Sequence, residues 1–170
     1  MKRLIILGAG GYGKTVADVA AQLGYTQIFF LDDRRTDENI LGTCEDFKRF
    51  ADGNTEMYPA FGGGSIRMKW MKRLLEAGVS VPSFVHPRAY VSPTAKVGTG
   101  CVILPLAAVN TDVTLEMGCI INLGAIVDHD CVIGEGVHLA PGAVVKAENR
   151  IPAGIKIDSG DVIENRQYPM

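Results

Sequence analysis

Long apolar runs are missing from this chain. None of its 170 residues belongs to a stretch approaching the ~20 that a membrane-spanning helix needs. An excess of one charge is missing too: the formal balance is −2 at pH 7, and no basic patch points to nucleic acid. The four cysteines, Cys44, Cys101, Cys119 and Cys131, show no CxxC spacing, which argues against a zinc site and leaves no metal expected. A secretory leader is not expected either. MKRLIILGAG imitates one, but the apolar run is only Leu4 to Leu7 and Gly8 through Lys14 end it. A cytoplasmic protein with reduced thiols, away from membranes, is the expectation. The length suits one or two small domains with a real core.

What is present divides at about residue 83. Lys2 to Leu7 (KRLIIL) reads as a short buried strand, followed by GAGGYG at Gly8 to Gly13. Val16, Val19, Ala20 and Leu23 then recur at helical spacing, with Gly24 as the stop. Ile28 to Leu31 is a second strand ending in Asp32 and Asp33. Tyr58 to Phe61 is a third, ending in Gly62, Gly63 and Gly64, and Ile66 to Ala77 is a second helix, basic on one side. Strand, glycine loop, helix, strand and acid make half of a Rossmann-type fold over residues 1–83. Gly8-x-Gly10-x-x-Gly13 matches the dinucleotide fingerprint, in which glycines admit a phosphate to the helix N-terminus. Any nucleotide diphosphate could use this geometry, and a tight turn that binds nothing has the same sequence. The unit is short for a full dinucleotide domain, which counts against NAD.

From Phe84 to residue 170 the chain runs in sixes: FVHPRA, YVSPTA, KVGTGC and on to VIENRQ. The second position is Val, Ile or Leu in fourteen consecutive hexads, from Val85 to Ile163, without an insertion. Neither a 3.6-residue nor a 2-residue period singles out every sixth position. Hexapeptide periodicity is the mark of a parallel β-helix. Each six is a short strand and a turn, the second position pointing inward. The sixth is often small, as at Ala89, Ala95, Cys101, Ala107, Cys119, Ala125, Cys131 and Ala143. Three of the four cysteines are therefore explained as buried, inert core residues.

The unbroken hexads resemble the left-handed β-helix acyltransferases. A GAGGYG unit followed by FVHPRAYVSPTA and INLGAIVDHDCVIGEGVHLAPGA is similar, over nearly the whole chain, to the nucleotide-sugar acetyltransferases. These include bacillosamine and perosamine N-acetyltransferases and sialic-acid O-acetyltransferases. The resemblance implies an α/β half-Rossmann domain (1–83) that binds a nucleotide-sugar, then a left-handed parallel β-helix of under five coils (84–170). It also implies a homotrimer, acetyl-CoA as acyl donor, and a setting in bacterial surface-glycan biosynthesis.

The resemblance also implies site residues. His129, within Val127-Asp128-His129-Asp130-Cys131, matches the family's general base; Asp130 first and Asp128 second are the carboxylates that would orient it. Strand neighbours point to opposite faces, so either aspartate reaches the ring only if the turn or another subunit brings it round. His138 matches a histidine lining the acyl-CoA pocket. It lies nine residues, half a coil, after His129, so the two share a site only across a subunit boundary. Asn122 matches an active-site position, and His86 reads as structural. In the first domain Gly8, Gly10, Gly11, Tyr12 and Gly13 would approach phosphate or sugar. Asp32 and Asp33 would accept hydrogen bonds from base or ribose, and Gly62, Gly63 and Gly64 would leave room for the nucleotide. Two departures stand out. Tyr12 replaces a common family histidine, and the coils after GVHLAPGA are fewer than in typical members, which shortens the groove for CoA. Lys146, Arg150 and Lys156 are the cations left for its phosphates. Against an acetyltransferase stand a non-catalytic nucleotide-sugar-binding trimer that has lost the CoA groove and, more weakly, an NAD enzyme.

Overall fold

The computed structural model describes residues 3–169; Lys2, expected to open the first strand, lies outside the described residues. Its internal contacts divide the chain into two units, residues 1–82 and 83–170.

The first unit runs β1 (Arg3–Leu7), α1 (Gly11–Gln22), β2 (Gln27–Leu31), a 3-10 helix (Cys44–Phe50), β3 (Thr55–Pro59) and α2 (Gly64–Glu76). Leu4 to Leu7 are fully buried, as a central parallel strand covered on both faces requires. Helix α1 buries Val16, Val19 and Ala20 on one stripe. It ends where Gly24 turns left-handed at φ 89°, a conformation that costs glycine little. The third strand starts and ends earlier than Tyr58 to Phe61. Thr55–Pro59 pairs residue for residue with Arg3–Leu7, which leaves Phe61 in the loop. The 3-10 helix had no apolar period to announce it. Thr43 and Asp46 start it with a reciprocal capping box.

The strands are all parallel in the order β2-β1-β3. With β1 central, the chain passes to β2 on one side of it and then crosses to β3 on the other. Such a switch point opens a crevice at the carboxyl ends of the strands, here between the loops that follow β1 and β3.

The second unit is fourteen two-residue strands, β4 (Phe84–Val85) to β17 (Val162–Ile163), stacked in three parallel sheets. The first face begins its strands at Phe84, Val102, Ile120, His138 and Lys156. The second face begins at Tyr90, Ala108, Ile126, Val144 and Val162. The third begins at Lys96, Thr114, Val132 and Arg150. Each residue therefore sits over its equivalent eighteen positions on, and three hexads make one coil. Second-position residues from Ile103 to Ile157 fill the prism with Cys101, Cys119 and Cys131 among them. At the sixth position, small or apolar in the other inner coils, stands Asn149, fully buried. Its amide donates to the carbonyls of Lys146 and Glu164 at 2.8 Å, and its oxygen accepts the Tyr168 N–H at 2.8 Å. A buried polar group with its bonds made is tolerated where an unpaired one is not. Among the described residues no helix is long and apolar enough to cross a membrane, and no cluster of His, Cys, Asp or Glu could hold a metal.

Candidate active site

From the third strand of the stack onward each turn places one residue at positive φ, and the three corners fill it differently. After the third face it is glycine every time: Gly100, Gly118, Gly136 and Gly154. After the first face it is Leu106, then Gly124, Gly142 and Gly160. After the second face it is never glycine: Asp112, Asp130, Glu148 and Arg166 hold φ between 55° and 60°. A side chain in this region costs about 1 kcal/mol, less for Asp than for most residues. Unfavourable backbone is concentrated at the corner that carries His129.

The left-handed turn at Asp130 answers the problem of strand neighbours facing apart. It brings the Asp130 carboxylate round to His129, with Nδ1 and Oδ2 2.7 Å apart. With Nδ1–H donating to the carboxylate, Nε2 keeps its lone pair for a proton. Asp128 has a different task. Its Oδ1 accepts the His129 backbone N–H at 2.8 Å and the Asn110 side-chain amide at 3.0 Å, so it fixes the turn rather than the ring. Bonded to Asp130 and surrounded by the charges of Asp128, Asp130 and Glu148, the imidazole is held above its ordinary pKa, although partial burial opposes this. The His129 N–H, burial notwithstanding, holds Asp128 below the usual carboxylate range, with help from Asn110. About half of each side chain of the His129–Asp130 pair is exposed, so an incoming substrate can reach it.

Beside this pair a groove of about 630 Å³ is lined by Asp112, Asp130, Val132, Glu148, Arg166 and Pro169. Arg166 is paired with Glu148, Lys146 with Glu164 at 2.5 Å, and Lys156 with Asp158 at 2.6 Å. Arg150, one coil beyond Val132 in the same outward column, is exposed and has no ion pair among the described residues. Of the three cations expected for phosphates, it alone is uncommitted.

His138 opens a strand of the first face, and its Nε2 lies 3.1 Å from the Asn122 amide nitrogen. Asn122 also accepts the Leu123 N–H at 2.8 Å through its oxygen. These two expected site residues are thus brought together, while His129 sits at a different corner of the same prism. His86 is 3% exposed and its Nδ1 accepts the Arg88 N–H at 3.0 Å.

In the first unit the glycines separate into two kinds. A Cβ on Gly13 would stand 1.9 Å from the Gly8 carbonyl oxygen, so the fold itself excludes a side chain there. Gly8 has φ 100° and lies against Ala60 and Phe61. Gly10, Gly11 and Gly62 would meet nothing within 4 Å, and Gly63 only the Ile66 methyl at 3.4 Å. Their bareness is not a packing requirement. A cavity of about 240 Å³ is lined by Gly8, Asp32, Asp33, Arg34, Cys44 and Phe61. Both aspartates are already bonded to backbone. Asp32 accepts Ala9 N–H at 2.7 Å through Oδ2, and Arg34 and Arg35 N–H at 2.9 and 3.0 Å through Oδ1. Burial pushes its pKa up, but these three bonds outweigh it and the carboxyl sits below its usual range. Asp33 accepts the Cys44 N–H at 2.8 Å. Cys44, which had no assignable partner in the sequence, points its thiol at the Leu31 carbonyl, and burial beside Asp33 pushes it up to about 12. The Tyr12 hydroxyl lies 3.0 Å from that of buried Tyr58.

Crevice, glycine loop and prism together define a hexapeptide-repeat β-helix acyltransferase. Residues 3–74 match the family model described as the PglD N-terminal domain. The acetyltransferase domain of PglB from Neisseria gonorrhoeae FA1090 is similar over 98% of this chain and 84% of its own, at 34% identity and a TM-score of 0.94. The same domain in complex with acetyl coenzyme A aligns at 35% identity over 97% and 83%, with a TM-score of 0.93. A mutant perosamine N-acetyltransferase from Caulobacter crescentus, in complex with CoA and GDP-perosamine, shares the fold. It aligns at 24% identity over 96% and 89%, with a TM-score of 0.87. The chain belongs to the hexapeptide-repeat nucleotide-sugar acetyltransferases.

Proposed function

We propose that this enzyme transfers an acetyl group from acetyl-CoA to the amine of a nucleotide-linked amino sugar, with His129 as general base. The observation that carries this reading is the His129–Asp130 hydrogen bond at the strained corner, which orders the ring and leaves Nε2 as a base. The amine nitrogen attacks the thioester carbonyl while its proton passes to Nε2. Asp130, Asp128 and Glu148 stabilise the imidazolium that forms. The tetrahedral intermediate then expels the CoA thiolate, and the imidazolium returns the proton to sulfur. The carboxylates of this corner favour an amine, which arrives as an ammonium ion and releases one proton to water before it attacks, over an acceptor that carries a carboxylate of its own such as a sialic acid. The groove beside His129 is the place for the thioester arm, and Arg150 is the available cation for CoA phosphates. The nucleotide lies at the crevice of the first unit, where bare Gly10, Gly11 and Gly62 admit it and where Tyr12, Gly63, Gly64 and Asp33 are further contacts. Asn122 and His138 form a second polar pair for the acyl-CoA pocket.

A homotrimer accounts for the second face of the prism. Its outward residues Tyr90, Ala108, Ile126, Val144 and Val162 are all apolar, and Tyr90, Ile126 and Val162 are 57%, 42% and 46% exposed. Leu106 and Leu123 extend the patch round one bounding corner, at 69% and 48% exposed, and His129 stands at the other. An apolar patch of this extent is a contact surface. Copies arranged about a threefold through this face bring the His129 corner of one against the Asn122–His138 edge of the next, completing one acyl-transfer site per boundary.

The test is release of free thiol from acetyl-CoA with a panel of UDP- and GDP-linked amino sugars and free sialic acids. Turnover with an amino sugar that is lost in His129→Ala supports the reading; unchanged turnover removes His129 as base. Binding of the nucleotide-sugar with no binding of CoA would leave the scaffold alternative in its place.

A further inference from the structure

We propose that Arg67 is a positioning residue for the nucleotide crevice, an inference that rests on the nucleotide-sugar reading of the first unit. Arg67 is the largest fully buried side chain, with no exposed surface, one turn into α2. Burying a guanidinium is costly, and a cation near a helix N-terminus also opposes the helix dipole. An apolar side chain of the same length would fill this space at less cost, so the arginine is kept for what its donors hold. Nη1 donates to the carbonyl oxygens of Phe61 at 2.8 Å and Gly62 at 3.0 Å, the second and third residues of the loop after β3.

Those two residues set one wall of the crevice. Phe61 lines the cavity with Gly8, and its ring edge would stand 3.4 Å from a Cβ placed on Gly8. The same ring stacks on Trp70 with centroids 6.4 Å apart and planes 25° apart, so its other side is fixed by α2. With Arg67 in place the carbonyls of Phe61 and Gly62 turn inward to it and away from the crevice. That leaves the bare Gly62–Gly64 backbone to face an anionic ligand without carbonyl oxygens pointing at it. The opposite loop is held in complementary fashion, by a carboxylate on an N–H: Asp32 on Ala9. Two ionic side chains of opposite sign thus fix the two loops that bracket the ligand, and neither needs to touch it.

Calorimetry on the full chain with UDP and GDP, each alone, and separately with CoA, tests this in Arg67→Lys and Arg67→Met. Arg67→Lys keeps the charge but not the planar fork. The expected result is a loss of nucleotide affinity of roughly ten-fold for Arg67→Met, the size of one charge-assisted hydrogen bond, and a smaller loss for Arg67→Lys. Affinity for CoA should stay unchanged. In turnover assays KM for the nucleotide-sugar should rise while kcat and KM for acetyl-CoA stay put, a split that general loosening of the fold would not give. Wild-type nucleotide affinity in a folded Arg67→Lys overturns the inference and leaves the nucleotide reading intact, and this variant decides alone if Arg67→Met does not fold. A wild-type chain that binds neither UDP nor GDP overturns both.

Discussion

Two glycines in the first turn of α1, a helical half-turn apart, should respond oppositely to the same methyl group. In Gly13→Ala the new Cβ would lie 1.9 Å from the Gly8 oxygen, where ordinary contact begins at 3.4 Å. Both sides are backbone, so β1 and α1 must separate. Overpacking of this kind costs about 1–3 kcal/mol, and for a unit of this size about 2 kcal/mol is a fall in Tm of roughly 10 °C. Gly11→Ala meets nothing within 4 Å and sits at the first helical position. Replacing glycine by alanine at a compatible site stabilises by about 0.4–1 kcal/mol, through the unfolded chain. Gly11→Ala should therefore raise the Tm by a few degrees while lowering affinity for UDP or GDP roughly ten-fold, since its methyl would occupy the space left for phosphate. Thermal unfolding by circular dichroism and nucleotide calorimetry on the same samples read both quantities. Equal destabilisation by the two variants would refute the division of the glycines into structural and ligand-facing. Unchanged nucleotide affinity in Gly11→Ala would refute the placement of the ligand.

Asp130→Asn removes the main group that raises the His129 pKa, so the acid limb of the kcat profile should move to lower pH while the plateau falls by roughly ten- to a hundred-fold; a limb that stays put would separate Asp130 from the base. Folding raises this imidazole's pKa, so its contribution to stability is complete below about 6.5, the unfolded value, and is lost as pH rises through the higher folded one. Stability from this group and activity from its neutral form therefore change in opposite directions with pH, which urea titrations at several pH values can check. Leu139→Ala, in the filled centre of the prism, should cost about 3 kcal/mol in urea unfolding, whereas a cost below about 1 kcal/mol would mean that the interior is not close-packed there. Ile126→Asp on the outer second face should leave the fold intact, convert the proposed trimer to monomer by light scattering, and abolish turnover; an active monomer would dismiss the shared site.

Much of the second unit was legible because its coil repeats: every eighteenth residue stacks, so an inward Val or Ile at one level demands one at the next. The same register made the cysteines at 101, 119 and 131 readable as core. The first unit was legible in outline, since buried RLIIL and GAGGYG each have one sensible use, but β3 was placed late because Tyr58 to Phe61 is as apolar as the true strand. Three features carried no sequence signal. The positive φ at Asp130 is set by the corner, and an aspartate in VDHDC gives no sign of its own dihedral. Arg67 lies in a helix that looks basic and solvated, and only three-dimensional packing reveals it as buried. Asp32 reads as a ribose acceptor because it stands where one would; its bond to Ala9 needs the loop to fold back, which no local pattern encodes.

On the proposed mechanism, the left-handed position at Asp130 sets catalysis and durability against each other. Glycine is what the scaffold uses at the corresponding place in seven turns of its other two corners, and it would relieve the backbone here as well. Asp130→Gly is therefore the exchange that makes this turn easier to form and leaves the imidazole without its anchor. Selection for heat resistance alone would drift towards it, losing the acyl transfer while improving the protein. A laboratory evolution campaign on this chain has to screen for turnover in every round, because at this corner the more robust variant is the one that the proposed mechanism makes inactive.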